Sequence, residues 1–262
     1  MKRTRRILPF LVLALATVSW AQDQGGEFHW SGKLDADKVV EIKNVNGTVD
    51  ALVSSGDQVE VTAEKSGPRS SEIKIVVEQH SDGVTICAIY PYGMGGSTKC
   101  GPGTSWHSNN VHGDNNKVHF VVHLPKNLRF SAQTVNGNVN AEDLGRFVRA
   151  TSVNGSVHVS TASWAEVKTV NGSIEVRMGS ADWSGTLKIE SVNGSVKLEM
   201  PDDLNAEVKF SSVNGRVSSD FPITISGGFV GHSARGTVGK GGRDLVVETV
   251  NGSMELKKGS GI

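Results

Sequence analysis

The sequence has few of the features that identify an enzyme or a membrane protein. Apart from an apolar run over residues 7–18, which is shorter than the roughly 20 residues that span a bilayer, no segment could cross a membrane. A Gly-x-Ser-x-Gly motif is absent, and Gly239–Gly242 lacks the spacing of a phosphate-binding loop. Only seven prolines accompany 31 glycines, which favours many tight turns over a disordered linker.

The apolar run has the surroundings of a secretory signal peptide. Four basic residues lie between positions 2 and 6, and Ser19 and Ala21 occupy positions −3 and −1 of a small-residue cleavage site. We predict that residues 1–21 are removed, that the mature chain begins at Gln22, and that the protein is periplasmic or extracellular. A signal anchor is the alternative, and the shortness of the run disfavours it.

The mature chain is mildly acidic. Removal of the leader takes four of the 27 Lys and Arg residues and none of the 27 Asp and Glu residues, leaving 23 against 27 and a net charge of −4. A nucleic acid or an acidic membrane is therefore a disfavoured partner.

The triplet Val-Asn-Gly recurs seven times and is the main structural signal. An eighth, degenerate copy ends at Gly236, with Ala234 and Arg235 in place of valine and asparagine. Copies in the C-terminal half are 16 to 22 residues apart, a period typical of solenoids. The predicted turn ladder consists of Asn46, Asn136, Asn154, Asn171, Asn193, Asn214 and Asn251 with Gly47, Gly137, Gly155, Gly172, Gly194, Gly215, Gly236 and Gly252.

The residues around each triplet alternate between apolar and polar side chains. Val40 and Ile42, for example, stand six and four residues before Asn46 and alternate with Glu41 and Lys43, which are predicted to face solvent. A period of two is typical of half-buried strands, so each copy is predicted to form strand, tight bend and strand. Asparagine and glycine both tolerate the left-handed backbone angles that a sharp bend requires.

Two architectures fit these bends. An isolated Asn-Gly favours a two-residue hairpin. Identical bends at this period favour coils that stack about 4.8 Å apart, in which each Asn amide bonds the backbone of its neighbours. We therefore predict an all-β, single-domain β-solenoid, a β-helix-like stack of short strands with Asn-Gly bends.

The N-terminal half of the mature chain is less regular. Residues 22–117 contain one triplet and three alternating stretches, which are predicted to be strands that cap or complete the stack of residues 118–262. Residues 22–262 would then form one continuous domain. The glycine-, serine- and asparagine-rich segment 91–117 is predicted to be a long loop.

Cys87 and Cys100 are the only cysteines, and an exported chain meets an oxidising compartment. A single disulfide between them is the favoured interpretation. Two free thiols, or a metal site with His107 and His112, are the alternatives, although the spacing does not fit a zinc module.

No catalytic residue, cofactor or metal site is predicted. His119 and His123 share a strand face but lie about 13 Å apart along it, too far to hold one ion. Trp164 and Trp183 fall between copies and could form a sugar-binding surface, or they could cover rung edges instead.

The segment from His119 to Leu256, with its repeated Ser/Thr-Val-Asn-Gly-Ser/Arg-Val units, resembles a bacterial family of candidate adhesin domains of unknown function. The resemblance implies an exported β-solenoid similar to autotransporter-adhesin head domains, and it brings no catalytic residues.

Two functions of different class remain. The first is a non-catalytic envelope or surface module that binds, or serves as a scaffold for, an unidentified polymer or protein. The second is a carbohydrate-active β-helix protein, either a polysaccharide-binding protein or a lyase. Because the charged strand positions alternate in sign rather than forming an acidic cluster, we expect the first.

Overall fold

A computed structural model describes residues 20–24, 26–91, 99–103, 115–225 and 232–259. The predicted leader lies outside these ranges except for Trp20 and Ala21, and so do Trp106, His107 and His112. The strands are β1 (Trp20–Gln24), β2 (Glu27–Gly32), β3 (Val39–Lys43), β4 (Val49–Val53), β5 (Val59–Ser66), β6 (Lys74–His80), β7 (Gly83–Ile89), β8 (Lys117–Leu124), β9 (Arg129–Gln133), β10 (Val139–Leu144), β11 (Val148–Thr151), β12 (Val157–Thr161), β13 (Ala165–Lys168), β14 (Ile174–Met178), β15 (Thr186–Glu190), β16 (Val196–Pro201), β17 (Ala206–Asn214), β18 (Val217–Ser219), β19 (Thr224–Ile225), β20 (His232–Val238), β21 (Arg243–Asn251) and β22 (Met254–Gly259).

Helical structure in the described ranges is limited to one 3₁₀ turn, Ser70–Glu72. None of the described residues forms a helix with the length and apolar character needed to cross a membrane.

The strands form two sheets of 11 strands each. Sheet 1 has the order β19-β20-β17-β21-β15-β13-β11-β9-β3-β7-β6, and sheet 2 has the order β1-β2-β5-β8-β4-β10-β12-β14-β16-β22-β18. Each Val-Asn-Gly triplet joins a strand of sheet 1 to a strand of sheet 2, and we call this two-strand unit a rung.

Neighbouring rungs are parallel and in register. In sheet 2, Val139 pairs with Val157, Val157 with Ile174, Ile174 with Val196 and Val196 with Met254. These apolar side chains point between the sheets and belong to one core cluster that extends from Phe28 to Leu256. The prediction of a stacked solenoid is confirmed, because hairpins would place the two strands of each copy side by side in one sheet.

Rung order departs from chain order at both ends of the stack. Strands β7 and β8 pair in parallel with β3 and β4, and we count them as the first rung although no triplet joins them. At the other end, β21 pairs with both β15 and β17, so the rung at Asn251 lies between those at Asn193 and Asn214.

The degenerate eighth copy does not form a corner, and the assignment of Gly236 to the turn ladder is wrong. Gly236 lies within β20, which pairs antiparallel with β17, and it stands opposite Val208 while Arg235 stands opposite Lys209. The physical reason is that β17 is near the end of sheet 1, where its free backbone groups are paired by a straight antiparallel strand.

Antiparallel strands cap both ends of the stack. Strands β5, β2 and β1 extend sheet 2 beyond β8, and β6 extends sheet 1 beyond β7. At the far end, β20 and β19 cover β17. Such caps protect the edges of a parallel stack from pairing with another chain.

Candidate functional site

The seven triplets lie together along one edge of the stack, where the chain passes from sheet 1 to sheet 2. Their asparagines follow one another in space in the order Asn46, Asn136, Asn154, Asn171, Asn193, Asn251 and Asn214. We define the corner strip as the valine, the asparagine and the residue after the glycine in each copy. In the same spatial order, the residues after the glycines are Thr48, Asn138, Ser156, Ser173, Ser195, Ser253 and Arg216.

A continuous ladder of side-chain amides runs along the corner strip. Each Asn Nδ2 donates to the Oδ1 of the asparagine in the preceding rung, over 2.7 or 2.8 Å at all six steps. The expectation that these amides bond the neighbours' backbone is therefore wrong. The backbone groups already bond one another, since Asn171 N donates to Val153 O and Gly172 N donates to Asn193 O.

Close approach of the rungs explains the glycines. Only Gly47 among the triplet glycines has a left-handed backbone, with φ of 118°, and none of the seven asparagines has positive φ. A Cβ atom on Gly172 would lie 2.1 Å from the carbonyl oxygen of Gly155 in the rung below. Five other triplet glycines lie equally close to a neighbouring glycine carbonyl, namely Gly137, Gly155, Gly194, Gly215 and Gly252.

A second row of hydrogen bonds lies behind the corner strip. The residue two positions before each asparagine is buried, and its side chain donates to a triplet glycine carbonyl. Thr169 Oγ1, for example, donates to Gly155 O over 2.8 Å. The equivalent donors are Asn44, Thr134, Ser152, Ser191, Ser212 and Thr249. These side chains satisfy carbonyls at the bend, where the strand ladder is interrupted.

These two rows should contribute differently to stability. Asn171→Ala removes two exposed amide bonds that water can replace, so we expect a loss of about 1 kcal/mol. Thr169→Val keeps the shape of a buried side chain but leaves a carbonyl without its donor, so we expect a loss of about 2 kcal/mol. Urea unfolding of both variants measures the difference. A larger loss for Asn171→Ala would show that the amide ladder holds the corner.

Four of the seven valines of the corner strip are exposed to solvent. Val153, Val192, Val213 and Val250 have exposed fractions of 37–60% and are the exposed large hydrophobic residues of the described ranges. They form an apolar row beside the asparagines. Val45, in the second rung, is fully buried.

The amide ladder ends beside Tyr90. Its hydroxyl donates to Asn46 O over 2.9 Å and accepts from Asn46 N, so it replaces the backbone groups that another corner would supply. Asn46 is 5% exposed, and its buried Nδ2 atom has no hydrogen-bond partner among the described residues. Within the described part of the chain, the ladder therefore ends in an unpaired donor.

A disulfide joins Cys87 of β7 to Cys100. The bond holds segment 99–103 against the outer face of sheet 1, where Gly101 O accepts from Lys43 Nζ over 2.6 Å. Cys87 is completely buried. This is the pairing that the two cysteines of an exported chain predicted ahead of free thiols or a metal site.

The covered face contains an ionic pair that is buried. Lys43 and Glu41 are 2% and 5% exposed, and their Nζ and Oε2 atoms are 3.6 Å apart. Thr85 Oγ1 also donates to Glu41 over 3.0 Å. The alternating pattern of β3 predicted that Glu41 and Lys43 face solvent, which is wrong: Lys43 contacts segment 99–103, and Glu41 is buried beside Lys43 and Thr85.

The two tryptophans differ, and neither stands free on the surface. Trp183 is 2% exposed and donates from Nε1 to Asp244 O. Of the two interpretations of this residue, its burial in the core cluster favours the one in which it covers the edge of a rung. Trp164 is half-buried against the core and packs on Phe147, with ring centroids 4.4 Å apart.

His119 and His123 lie on the outer face of β8, as predicted from the alternation of that strand. His119 Nε2 is 2.6 Å from Asp50 Oδ2. Within the described ranges, no three His, Cys, Asp or Glu side chains come close enough together to hold a metal ion.

Charged side chains on the outer faces of the sheets form pairs across neighbouring strands. Lys197 Nζ is 2.6 Å from Glu175 Oε1, and this hydrogen bond and the ammonium charge lower the pKa of the Glu175 carboxyl. Other pairs are Arg149 with Glu166, Lys168 with Glu190, Arg177 with Glu199, and Lys209 with Glu248. These pairs leave the outer faces close to electrically balanced.

A shallow groove crosses the outer face of sheet 1 at β11, β13 and β15. It is lined by Arg149, Thr151, Glu166, Val167, Lys168, Thr186, Lys188 and Glu190. Its two carboxylates are tied to cations, with Glu166 2.6 Å from Arg149 and Glu190 3.3 Å from Lys168.

Two solved structures are similar to this chain. A candidate cell adhesion protein from Clostridium sporogenes has a solved structure with 12% identity and a TM-score of 0.48, and the match covers 88% of this chain and 99% of that one. A candidate adhesin from Bacteroides fragilis has 10% identity and a TM-score of 0.30, with 88% and 97% covered. No curated protein matches the sequence.

The family comparison confirms the resemblance seen in the repeats. The family described as Toastrack DUF4097 matches residues 126–257, which contain six of the seven triplets. Because this match covers just over half of the 262 residues, the chain belongs to the Toastrack DUF4097 family.

Proposed function

We propose that the mature protein is an exported, non-catalytic, adhesin-like module that presents one rigid surface of its stack to a partner outside the cytoplasm. One contrast supports this proposal most. The charged groups of the outer faces are engaged with each other, whereas the corner strip exposes a regular row of uncharged groups that retain hydrogen-bonding capacity.

Rigidity of the corner strip suits it to binding. Each corner is held to its neighbours by backbone bonds, by the amide ladder and by the buried hydroxyl row. A surface that is ordered before it meets a partner loses little conformational entropy on binding, which favours affinity.

The groove on sheet 1 supports a second candidate, a carbohydrate-active β-helix protein. Cationic and anionic side chains line it together, as a polysaccharide site could require. Its glutamates, however, are engaged with Arg149 and Lys168, so neither is poised as a general acid or base. We therefore place binding ahead of cleavage.

Cell fractionation and product analysis test this proposal. We expect the protein in the periplasmic or extracellular fraction with Gln22 as its first residue, retention on isolated cell envelopes, and no shortening of polysaccharide chains. A variant without residues 1–21 is the control and should stay in the cytoplasm. Full-length protein in the cytoplasm would refute export, and chain cleavage abolished by Glu166→Gln would favour the enzyme.

A further inference from the structure

The corner strip is uncharged over six consecutive rungs. From Val45 to Ser253 in spatial order, its side chains are valines, asparagines, serines and one threonine, and the first charge is Arg216 in the last rung. Charged rows flank it on both sheets, as with Lys168 before one corner and Glu175 after it. This separation points to a partner without charge, since a charged polymer gains little from such a strip.

Each rung of the corner strip keeps hydrogen-bonding groups for a partner. A primary amide has two N–H donors and two acceptor sites on its oxygen. At Asn154, Asn171 and Asn193 the ladder uses one donor and one acceptor of each, and these side chains are exposed. One donor and one acceptor therefore remain at each of these three rungs, which lie about 4.8 Å apart along the stack.

The apolar row adds to this pattern. The exposed valines place methyl groups beside the amides. A polysaccharide presents hydroxyl groups and apolar C–H surfaces that repeat along its chain. The strip presents amides and valine methyl groups that also repeat, so the two surfaces are complementary.

We infer that the corner strip binds an uncharged polysaccharide chain that lies parallel to the stack axis. Sugar hydroxyls form hydrogen bonds with the free donors and acceptors of the asparagines, and sugar C–H groups pack on the valines. This inference rests on the proposed function and names its partner. An extended peptide would instead pair with a sheet edge, and β20 and β19 cover one end of sheet 1.

Variants that add charge to the strip test this inference without touching the ladder. Ser173→Asp with Val192→Asp places two carboxylates on neighbouring rungs at exposed positions. Ser55→Asp with Ser184→Asp adds the same charge at exposed positions away from the strip. Both variants and the unmodified exported protein are incubated with cellulose, chitin, curdlan and polygalacturonate, and bound protein is measured by depletion.

We expect the unmodified protein to bind at least one neutral polysaccharide, the strip variant to bind it at least tenfold more weakly, and the control variant to bind it unchanged. Equal binding by the two variants would overturn the strip as the site while leaving the proposed function intact. Retention on cell envelopes without binding to any neutral polysaccharide would show that the partner is of another chemical class. If the unmodified protein binds neither the polysaccharides nor isolated cell envelopes, the proposed function itself is refuted. If the unmodified protein is a dimer and the strip variant is a monomer, the partner of the strip is a second copy of the chain.

Discussion

Gly172→Ala is expected to lower the free energy of unfolding by about 3–5 kcal/mol, which is exceptional for a residue at the edge of the stack. The added Cβ would lie 2.1 Å from the carbonyl oxygen of Gly155 and 2.4 Å from its carbon. Both atoms belong to main chain that is fixed by rung-to-rung bonds, such as that from Gly155 N to Asn171 O at 2.9 Å. The two rungs must separate to admit the methyl group, and their hydrogen bonds lengthen as they do.

Gly56→Ala is the matched control for this substitution. Gly56 is exposed, its φ is not left-handed, and the nearest atom to an added Cβ is Ser54 Oγ at 3.5 Å. We expect its effect to be within about 0.5 kcal/mol of zero. The urea midpoints and soluble yields of the two variants measure the contrast. Similar midpoints would show that close approach of the rungs is not the reason for the glycine.

The stack could be predicted from the sequence because two independent signals agree. Inward apolar positions with a period of two require strands, and identical corners at a solenoid period require like residues to lie above one another. The register in which Val157 pairs with Val139 and Ile174 follows from these signals. The family resemblance rested on the same residues.

The order of the rungs could not be predicted. Every triplet forms the same corner, so its sequence does not indicate which other rung lies next to it. Strand β17 is bounded by β20 on one side and by β21 on the other, and β21 comes later in the chain. A stack must also end somewhere, and the degenerate copy at Gly236 became part of the cap rather than another corner. Where a stack ends depends on which strand would otherwise leave its backbone groups unpaired. The sequence pattern of a single copy does not contain that information.

The chemistry of the corner strip was only partly predictable. The recurrence of asparagine indicated a ladder, but its bonds run between side chains because the backbone groups are already paired. The glycines were explained by left-handed angles, whereas only Gly47 has such an angle and a neighbouring carbonyl leaves no room for a Cβ at any of the seven. The burial of Lys43 depends on segment 99–103, which is 56 or more residues away in sequence.

Removing the disulfide with Cys87→Ala and Cys100→Ala is expected to cost about 2–4 kcal/mol, because the bond restricts a loop of roughly a dozen residues in the unfolded chain. Alanine suits the buried position of Cys87 because it adds no polar group. The comparison is made by urea unfolding of the oxidised protein and the double variant. Reduced protein with native cysteines should unfold close to the double variant, since both lack the same constraint.

The same variant should expose Lys43. Lys43 is 2% exposed and its ammonium donates to Gly101 O, one residue from Cys100, so releasing segment 99–103 removes its cover. Labelling with an amine-reactive reagent, mapped by mass spectrometry, should modify Lys43 slowly in the oxidised protein and many times faster in the double variant. Lys168, whose side chain is 59% exposed, is the internal control and should react equally in both. If Lys43 stays protected while unfolding becomes easier, the disulfide stabilises the chain through its unfolded state alone, and other groups keep segment 99–103 in place.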